Sequence, residues 1–135
     1  NFPSTVPRRA RSRSAFSKKL TPSHFLIVLT TAPDGSTARR LAKLLVRERL
    51  AACVNVVGGV QSVYRWKGDV ESAREYMLIA KTTSNRLAAL QARLTAVHPY
   101  DVPEIIALPL AGGLANYLSW ISENTTPSLN KARFQ

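Results

Sequence analysis

The order in which apolar patterns follow one another constrains the fold of this chain more than any single residue does. A strand-like apolar run at residues 25–30 is followed by a helical stripe, two further extended regions, a second helical stripe and an apolar run at residues 103–110. One more helical pattern follows Gly112 and Gly113. This order is βαββαβ with an added helix. Right-handed crossovers place the two main helices of such a chain on one face of a four-stranded antiparallel sheet.

Capping signals mark the ends of the two main helices. Asp34 or Ser36 is expected to cap the first helix and Ser84 the second, because their side-chain oxygens accept hydrogen bonds from free N–H groups of a first turn. His98 should end the second helix, since the residue before a proline avoids the helical region.

Glycine residues divide the middle of the chain. Gly58 and Gly59 predict the end of a second strand, residues 51–57, and a hairpin to an extended run at residues 60–67. Lys67, Gly68 and Asp69 predict a turn or bulge at which the long ribbon of the second and third strands kinks, and the extended pattern resumes at residues 75–82.

The predicted fold is therefore α+β and ferredoxin-like, with an additional C-terminal helix. The sheet face away from the helices needs a cover, and two mixed rows are candidates for it. One row holds Ser62, Tyr64 and Trp66, and the other holds Glu75, Met77, Ile79 and Lys81. We expect this face to be covered by another copy of the same chain.

The net charge of +11 is concentrated near the N-terminus. Residues 1–22 hold six basic residues and no acidic one, whereas residues 23–124 hold 11 basic and 8 acidic residues. Residues 1–22 are predicted to be a disordered basic extension or the remnant of an organellar transit peptide, which leaves cytoplasmic and organellar locations open. We expect one domain at residues 23–124 and a flexible tail at residues 125–135.

Several function classes lack support. No apolar run approaches the roughly 18 residues of a membrane-spanning helix, so no membrane span is expected. No Ser/His/Asp constellation, Walker loop or metal-spaced histidine pair supports an enzyme. Residues 75–82 lack the aromatic signature of RNA-recognition domains, so no specific nucleic-acid partner is expected, although the basic N-terminal segment leaves non-specific contacts open.

The segment from His98 to Ile106 places a titratable side chain and two carboxylates between a helix and a strand. Pro99 and Pro103 restrict its backbone, which suits either a binding surface or a tightly specified turn. His98 is equally consistent with a structural hydrogen bond and with a ligand role, with Glu104 close in sequence.

Two residues in apolar strands also have two interpretations. Cys53 is typical of a buried, unreactive thiol and stays a minor ligand candidate. Lys81 needs a partner, and Glu75 or Glu104 could form a structural ion pair with it. The aromatic residues suit either a ligand pocket or interface packing: Tyr64, Trp66, Tyr100 and Trp120.

Five motifs follow one another in a fixed order through the predicted domain. They are TAP at 31–33, LAACVN at 50–55, SVYRWKG at 62–68, HPYDVPEIIALP at 98–109 and YLSW at 117–120. Each is weak alone, but together they span roughly residues 24–124 and closely resemble the CutA divalent-cation-tolerance family.

This resemblance implies a non-catalytic homotrimer of ferredoxin-like subunits with a cleft at each subunit boundary. The positions that it places at or near the cleft are Tyr64, Trp66, Glu75, Lys81, His98, Tyr100, Glu104 and Trp120. Of these, we expect Tyr64, Trp66, Glu75, Lys81 and Tyr100 to contact a bound ligand.

The resemblance also implies a role in the response to metal ions, with copper or another divalent metal bound and no organic cofactor. The expected metal ligands are His98, Glu104 and Cys53. Some bacterial members carry a cysteine where this chain has Thr30 and a histidine where it has Val97. Ligands from symmetry copies would therefore have to complete a site.

A resemblance to nitrogen-regulatory PII proteins is the alternative. Those trimeric sensors bind small anions or nucleotides in their subunit clefts. Lys81, Arg65 and Lys67 would then be the anion contacts.

Overall fold

A computed structural model describes residues 24–127 of the chain. Its elements are β1 (Phe25–Ala32), α1 (Gly35–Arg47), β2 (Cys53–Trp66), β3 (Asp69–Thr83), α2 (Leu87–Val97), β4 (Ile106–Pro109) and α3 (Ala115–Glu123). The strand order is β2-β3-β1-β4, and every neighbouring pair is antiparallel. The predicted α+β, ferredoxin-like arrangement with an additional C-terminal helix is confirmed. The predicted basic extension and residues 128–135 of the predicted tail lie outside the described residues.

The core lies between the sheet and the helices α1 and α2. Alternate residues of a strand point to opposite faces of the sheet, so one residue in two reaches this core. The fully buried residues that meet there are Val28 from β1, Leu78 and Ala80 from β3, Leu41 and Leu45 from α1, and Leu90 and Leu94 from α2. We call this side of the sheet the covered face.

Helix α1 begins where a capping side chain allows it. Asp34 Oδ1 accepts a hydrogen bond from the Thr37 N–H at 2.7 Å, which confirms one of the two predicted caps. This bond, from a backbone N–H, is the largest cause of a lowered pKa at Asp34. The buried stripe of α1 is Ala38, Leu41 and Leu45.

Helix α2 begins differently from the prediction. A 3-10 turn, Ser84–Arg86, leads from β3 directly into α2, and no side chain caps either element. The predicted Ser84 cap is therefore wrong: Ser84 lies inside the turn, and its N–H donates to the His24 carbonyl at 2.8 Å. The helix ends at Val97, and His98 is extended, as predicted for a residue before proline.

The predicted hairpin at Gly58 and Gly59 is also wrong. Strand β2 runs through these residues without a turn, and β3 pairs with it on both sides. Val57 pairs with Met77 and Val60 with Glu75, so two glycines oppose a single residue in a β-bulge. The hairpin lies at Lys67 and Gly68, where both φ angles are positive, 51° and 88°.

The bulge decides which side chains share a face. It adds one residue to β2, so Ser62, Tyr64 and Trp66 continue on the same side as Cys53 and Asn55. Their partners on β3 place them on the side of Glu75, Met77, Ile79 and Lys81. Both mixed rows of the sequence therefore lie on one surface, opposite α1 and α2, which we call the open face.

Strand β4 is shorter than the predicted run at residues 103–110. β4 has four residues, Ile106–Pro109, and pairs only with the middle of β1. Helix α3 contacts β3, and its end is held by Arg49, which donates to the Glu123 carbonyl at 2.7 Å and the Thr126 carbonyl at 2.5 Å.

Among residues 24–127, no helix has the length and apolar character needed to cross a membrane.

Candidate functional site

The end of α2 holds a histidine whose two ring nitrogens are both engaged. His98 is buried, and its Nε2 lies 2.8 Å from the Thr31 carbonyl oxygen. The Tyr100 N–H donates to Nδ1 at 3.1 Å, so Nδ1 must be unprotonated. Nε2 then carries the proton and donates a hydrogen bond to the Thr31 carbonyl oxygen, so the ring is a neutral imidazole. Ligation of a metal by His98 would require one of these two bonds to break.

Tyr100 links the same segment to β3. Its hydroxyl donates to Glu75 Oε2 at 2.7 Å, and its ring lies 4.9 Å from that of His98. Burial is the main cause of a raised pKa at Tyr100, followed by the hydrogen bond and the charge of Glu75, with smaller contributions from Tyr64 and Asp34. Tyr100 is therefore a stable neutral donor. We call His98, Tyr100 and Glu75 the tyrosine cluster.

A second cluster surrounds Lys81 on the open face. Its ammonium group donates to Asn55 Oδ1 and lies 3.9 Å from Cys53 Sγ. The predicted ion pair of Lys81 with Glu75 or Glu104 is wrong, because the strand register places Cys53 directly opposite Lys81 and Asn55 diagonally across from it. Within residues 24–127, Lys81 has no carboxylate partner.

Helix α3 closes one side of this second cluster. Burial is the main cause of a raised pKa at Tyr117, followed by the charge of Cys53 and a hydrogen bond with it. Tyr117 also stacks on Trp120, with ring centroids 5.5 Å apart. Lys81, Asn55, Cys53 and Tyr117 form what we call the lysine cluster.

The two clusters are separate within one chain. Five residues of β3 lie between Glu75 and Lys81, which places the two residues roughly 20 Å apart along an extended strand. The structure brings together His98, Tyr100 and Glu75 from the predicted set, and it separately brings together Lys81 and Cys53. Tyr64 is exposed beyond Glu75, toward the hairpin.

Two further predicted residues have no side-chain hydrogen bond to either cluster in the described part of the chain. Trp66 is 57% exposed at the hairpin, with the Lys67 ammonium 5.8 Å from its ring. Glu104 is exposed and has no hydrogen bond or ion pair within the described part of the chain. Sequence reasoning missed Asn55 and Tyr117 as site residues. Asn55 had a detectable signal, since it shares a strand face with Cys53 at a spacing of two.

A metal ion does not fit a single subunit on this geometry. No group of three or more His, Cys, Asp or Glu side chains in the described range is close enough to hold one. The three predicted ligands do not form such a group: His98 bonds to Thr31 and Cys53 lies in the lysine cluster. A site with three such side chains would need donors from another chain.

Comparison with known proteins gives a consistent family. The family model described as CutA1 divalent ion tolerance protein matches residues 26–124. The divalent-cation tolerance protein CutA of Thermus thermophilus is 52% identical over 99 residues, which are 73% of this chain and 96% of that protein. The chloroplastic protein CutA of Arabidopsis thaliana is 46% identical over 109 residues, covering 81% of this chain and 59% of that protein.

Solved structures agree with these relatives. The divalent cation tolerance protein of Thermus thermophilus has a TM-score of 0.74 at 51% identity, covering 76% of this chain and 99% of that one. CutA1 of Oryza sativa has a TM-score of 0.76 at 44% identity, covering 79% of this chain and 98% of that one. This chain belongs to the CutA1 divalent ion tolerance family.

Proposed function

We propose that this protein is a homotrimer whose subunits pack together through their open faces, and that it acts in the response to divalent metal ions by binding them, without catalysis. The exposure of the open face carries the assembly proposal. Ile106 and Leu108 are 51% and 48% exposed at one edge of this face, and Val57 and Tyr64 are half-exposed at the opposite edge. Several exposed large apolar side chains on one face are typical of an interface.

The hairpin formed by residues 60–75 supports the same assembly. Tyr64 and Trp66 are exposed on its open face, while Val63 and Val70 are each 67% exposed on its other face. β2 is also an edge strand of the sheet. A long edge with apolar side chains on both faces is stabilised by pairing with another chain.

The metal proposal follows from the separation of the candidate ligands. Copper prefers thiolate and imidazole donors, and one subunit keeps its thiol and its imidazole apart. In a trimer, the lysine cluster of one subunit can lie beside the tyrosine cluster or Glu104 of the next. We therefore place a copper site, or a site for another divalent metal, at the subunit boundary. Its donors are Cys53, Glu104 and His98, and His98 gives up one of its two ring hydrogen bonds when the metal binds.

The test begins with light scattering, which should give three times the mass of one chain. Copper titration by calorimetry should then give a Kd below about 1 μM. Cys53→Ser, Glu104→Gln and His98→Gln should each weaken binding. His24→Gln is the matched control, because His24 is the other of the two histidines and is exposed. A monomer, or copper binding that survives all three substitutions, would contradict the proposal.

A PII-like sensor of small anions or nucleotides is the second candidate. It is favoured by Lys81, whose positive charge is not neutralised by a carboxylate in the described chain. Arg65 and Lys67 lie at the hairpin, roughly 36 Å from Lys81 along β3, so they could join it only across a subunit boundary. Nucleotide binding that Lys81→Gln abolishes, together with indifference to copper, would favour this candidate over the first.

The compartment belongs to the same proposal. Residues 1–22 are rich in arginine and serine without acidic residues, and the Arabidopsis relative is named as chloroplastic. We infer an organellar location. Protease protection after incubation with isolated plastids or mitochondria tests it, and full digestion of the added protein in both would point to the cytoplasm.

A further inference from the structure

Helix α1 carries a row of positive charges on the side away from the sheet. Arg39, Arg40, Lys43 and Arg47 are all exposed, while the apolar stripe of the same helix is buried. Successive turns bring these side chains about 6 Å apart, and the row extends for about 16 Å from Ser36 to Arg47. We call these four cations with Ser36 the basic stripe.

The basic stripe is only partly neutralised by the protein around it. Asp34 interacts electrostatically with Arg40 and Arg39, and Glu48 interacts with Arg47, but none of the four cations forms an ion pair within residues 24–127. α1 contains no acidic residue, and the salt bridge found among residues 24–127 joins Arg93 to Glu48 instead. Asp34 lies near the N-terminal end of the stripe, where it caps the helix through Thr37. Like charges four residues apart on a helix repel one another, so Arg39, Lys43 and Arg47 disfavour the folded helix. Folding requires a polar outer face on α1 but not one whose charges all have the same sign.

The shape of the stripe fits an extended anion better than a small one. The groove between its side chains has a volume of about 350 Å³ and is lined by the stripe alone. A small-molecule site normally encloses its ligand, which a groove on one helix surface cannot do. Three of the four cations are arginines, whose planar groups bind phosphate oxygens through two parallel hydrogen bonds.

We propose that the basic stripe of α1 is a docking surface for the sugar-phosphate backbone of nucleic acid, bound without reading its sequence. No aromatic side chain is present in α1 to stack on bases, so contacts are limited to phosphates. A membrane surface is a poorer partner, because helices that lie on membranes insert their apolar face, and the apolar face of α1 is buried in the core. The stripe lies on the side opposite the open face and stays accessible when the open faces assemble.

The test uses the full chain and a fluorescein-labelled DNA duplex, with binding followed by anisotropy at low salt. A quadruple variant carries Arg39→Gln, Arg40→Gln, Lys43→Gln and Arg47→Gln. It should weaken binding by about tenfold or more, and should lower the slope of log K against log salt by about 3 to 4. Its Tm should equal or exceed that of the parent, because the repulsion along α1 is removed.

The matched control removes the same number of charges elsewhere, through Arg8→Gln, Arg9→Gln, Arg11→Gln and Arg13→Gln. It should weaken binding less than the stripe variant does, and the parent should bind a duplex of scrambled sequence equally well. The proposal is overturned if the parent does not bind the duplex, or if the control weakens binding as much as the stripe variant does. It is also overturned if the parent binds only vesicles of phosphatidylserine and phosphatidylcholine in equal amounts.

Discussion

The two faces of the sheet differ in burial and in composition. The covered face is apolar and closed, with Val28, Leu78 and Ala80 at most 1% exposed. The open face mixes half-exposed aliphatic and aromatic residues with a lysine, a thiol and a carboxylate. A single chain needs the first arrangement to fold and gains little from the second. We therefore attribute the residues of the open face to assembly and binding, and those of the covered face to the folding of one subunit.

The comparison predicts its largest effect at the centre of the covered face. Leu78→Ala leaves a cavity among fully buried side chains and should lower the free energy of unfolding by about 2–5 kcal/mol. Val46→Ala is the matched control, since Val46 is 42% exposed on α1, and its effect should stay within about 0.5 kcal/mol. Urea denaturation measures both. Equal losses would mean that the covered face is not the source of stability.

Substitutions on the open face should change the association of subunits and leave the fold of each subunit unchanged. Leu108→Lys places a charge on a side chain that is 48% exposed in one chain. Burying that unpaired charge against another subunit should weaken association by about tenfold or more, which is about 1.4 kcal/mol. Light scattering over a range of protein concentrations measures association, and circular dichroism checks the subunit fold.

Val46→Lys is the control for this experiment, because it adds the same charge at similar exposure on the opposite side of the molecule. It should leave association unchanged. If Leu108→Lys associates as the parent does, the open face is not the interface. The difference between the two faces would then not reflect assembly.

The sequence predicted the covered face well because local signals specify it. The cap at Asp34, the helix end before Pro99 and the order of the elements each depend on neighbours in the chain. The bulge was misread as a hairpin because a glycine pair is typical of both. Only the pairing of Val57 and Val60 with β3 distinguishes the two.

The site on the open face was predicted less well for a related reason. The partners of Lys81 are set by strand register, which the bulge and the hairpin position determine together. Charge alone suggested a carboxylate, whereas the register supplies an amide and a thiol. His98 was open to two interpretations from sequence, and the carbonyl of Thr31 that occupies its Nε2 lies 67 residues away in the chain.

A smaller effect is expected at the tyrosine cluster, which links the segment after α2 to β1 and β3. Tyr100→Phe removes the hydrogen bond to Glu75 and should cost about 0.5–1.5 kcal/mol of unfolding free energy. Tyr64→Phe is the control, because Tyr64 is 44% exposed and should lose little. A loss as large in Tyr64→Phe would argue against a specific role for the bond to Glu75.

The raised pKa of Tyr100 gives this prediction a pH dependence. A group that holds its proton more tightly in the folded state stabilises that state fully below its ordinary pKa, here 10.0. That stability is lost as pH rises through the raised pKa. The difference in stability between the parent and Tyr100→Phe should therefore shrink above pH 10.0, and a difference that stays constant would show that Tyr100 does not titrate as described.

The smallest expected effect lies at the start of the helix that closes the covered face. Asp34→Ala removes the acceptor for the Thr37 N–H and should lower the Tm slightly, whereas Asp34→Ser keeps an acceptor and should restore most of it. The pKa of Asp34 is lowered, so its contribution is present above the ordinary value of 3.8 and is lost as pH falls through the lowered pKa. Thermal melts at neutral pH should therefore separate Asp34→Ala from the parent, and melts in strong acid should not. Association should be equal in all three proteins, because the cap belongs to the covered face. A change in association would mean that the two faces are coupled through α1.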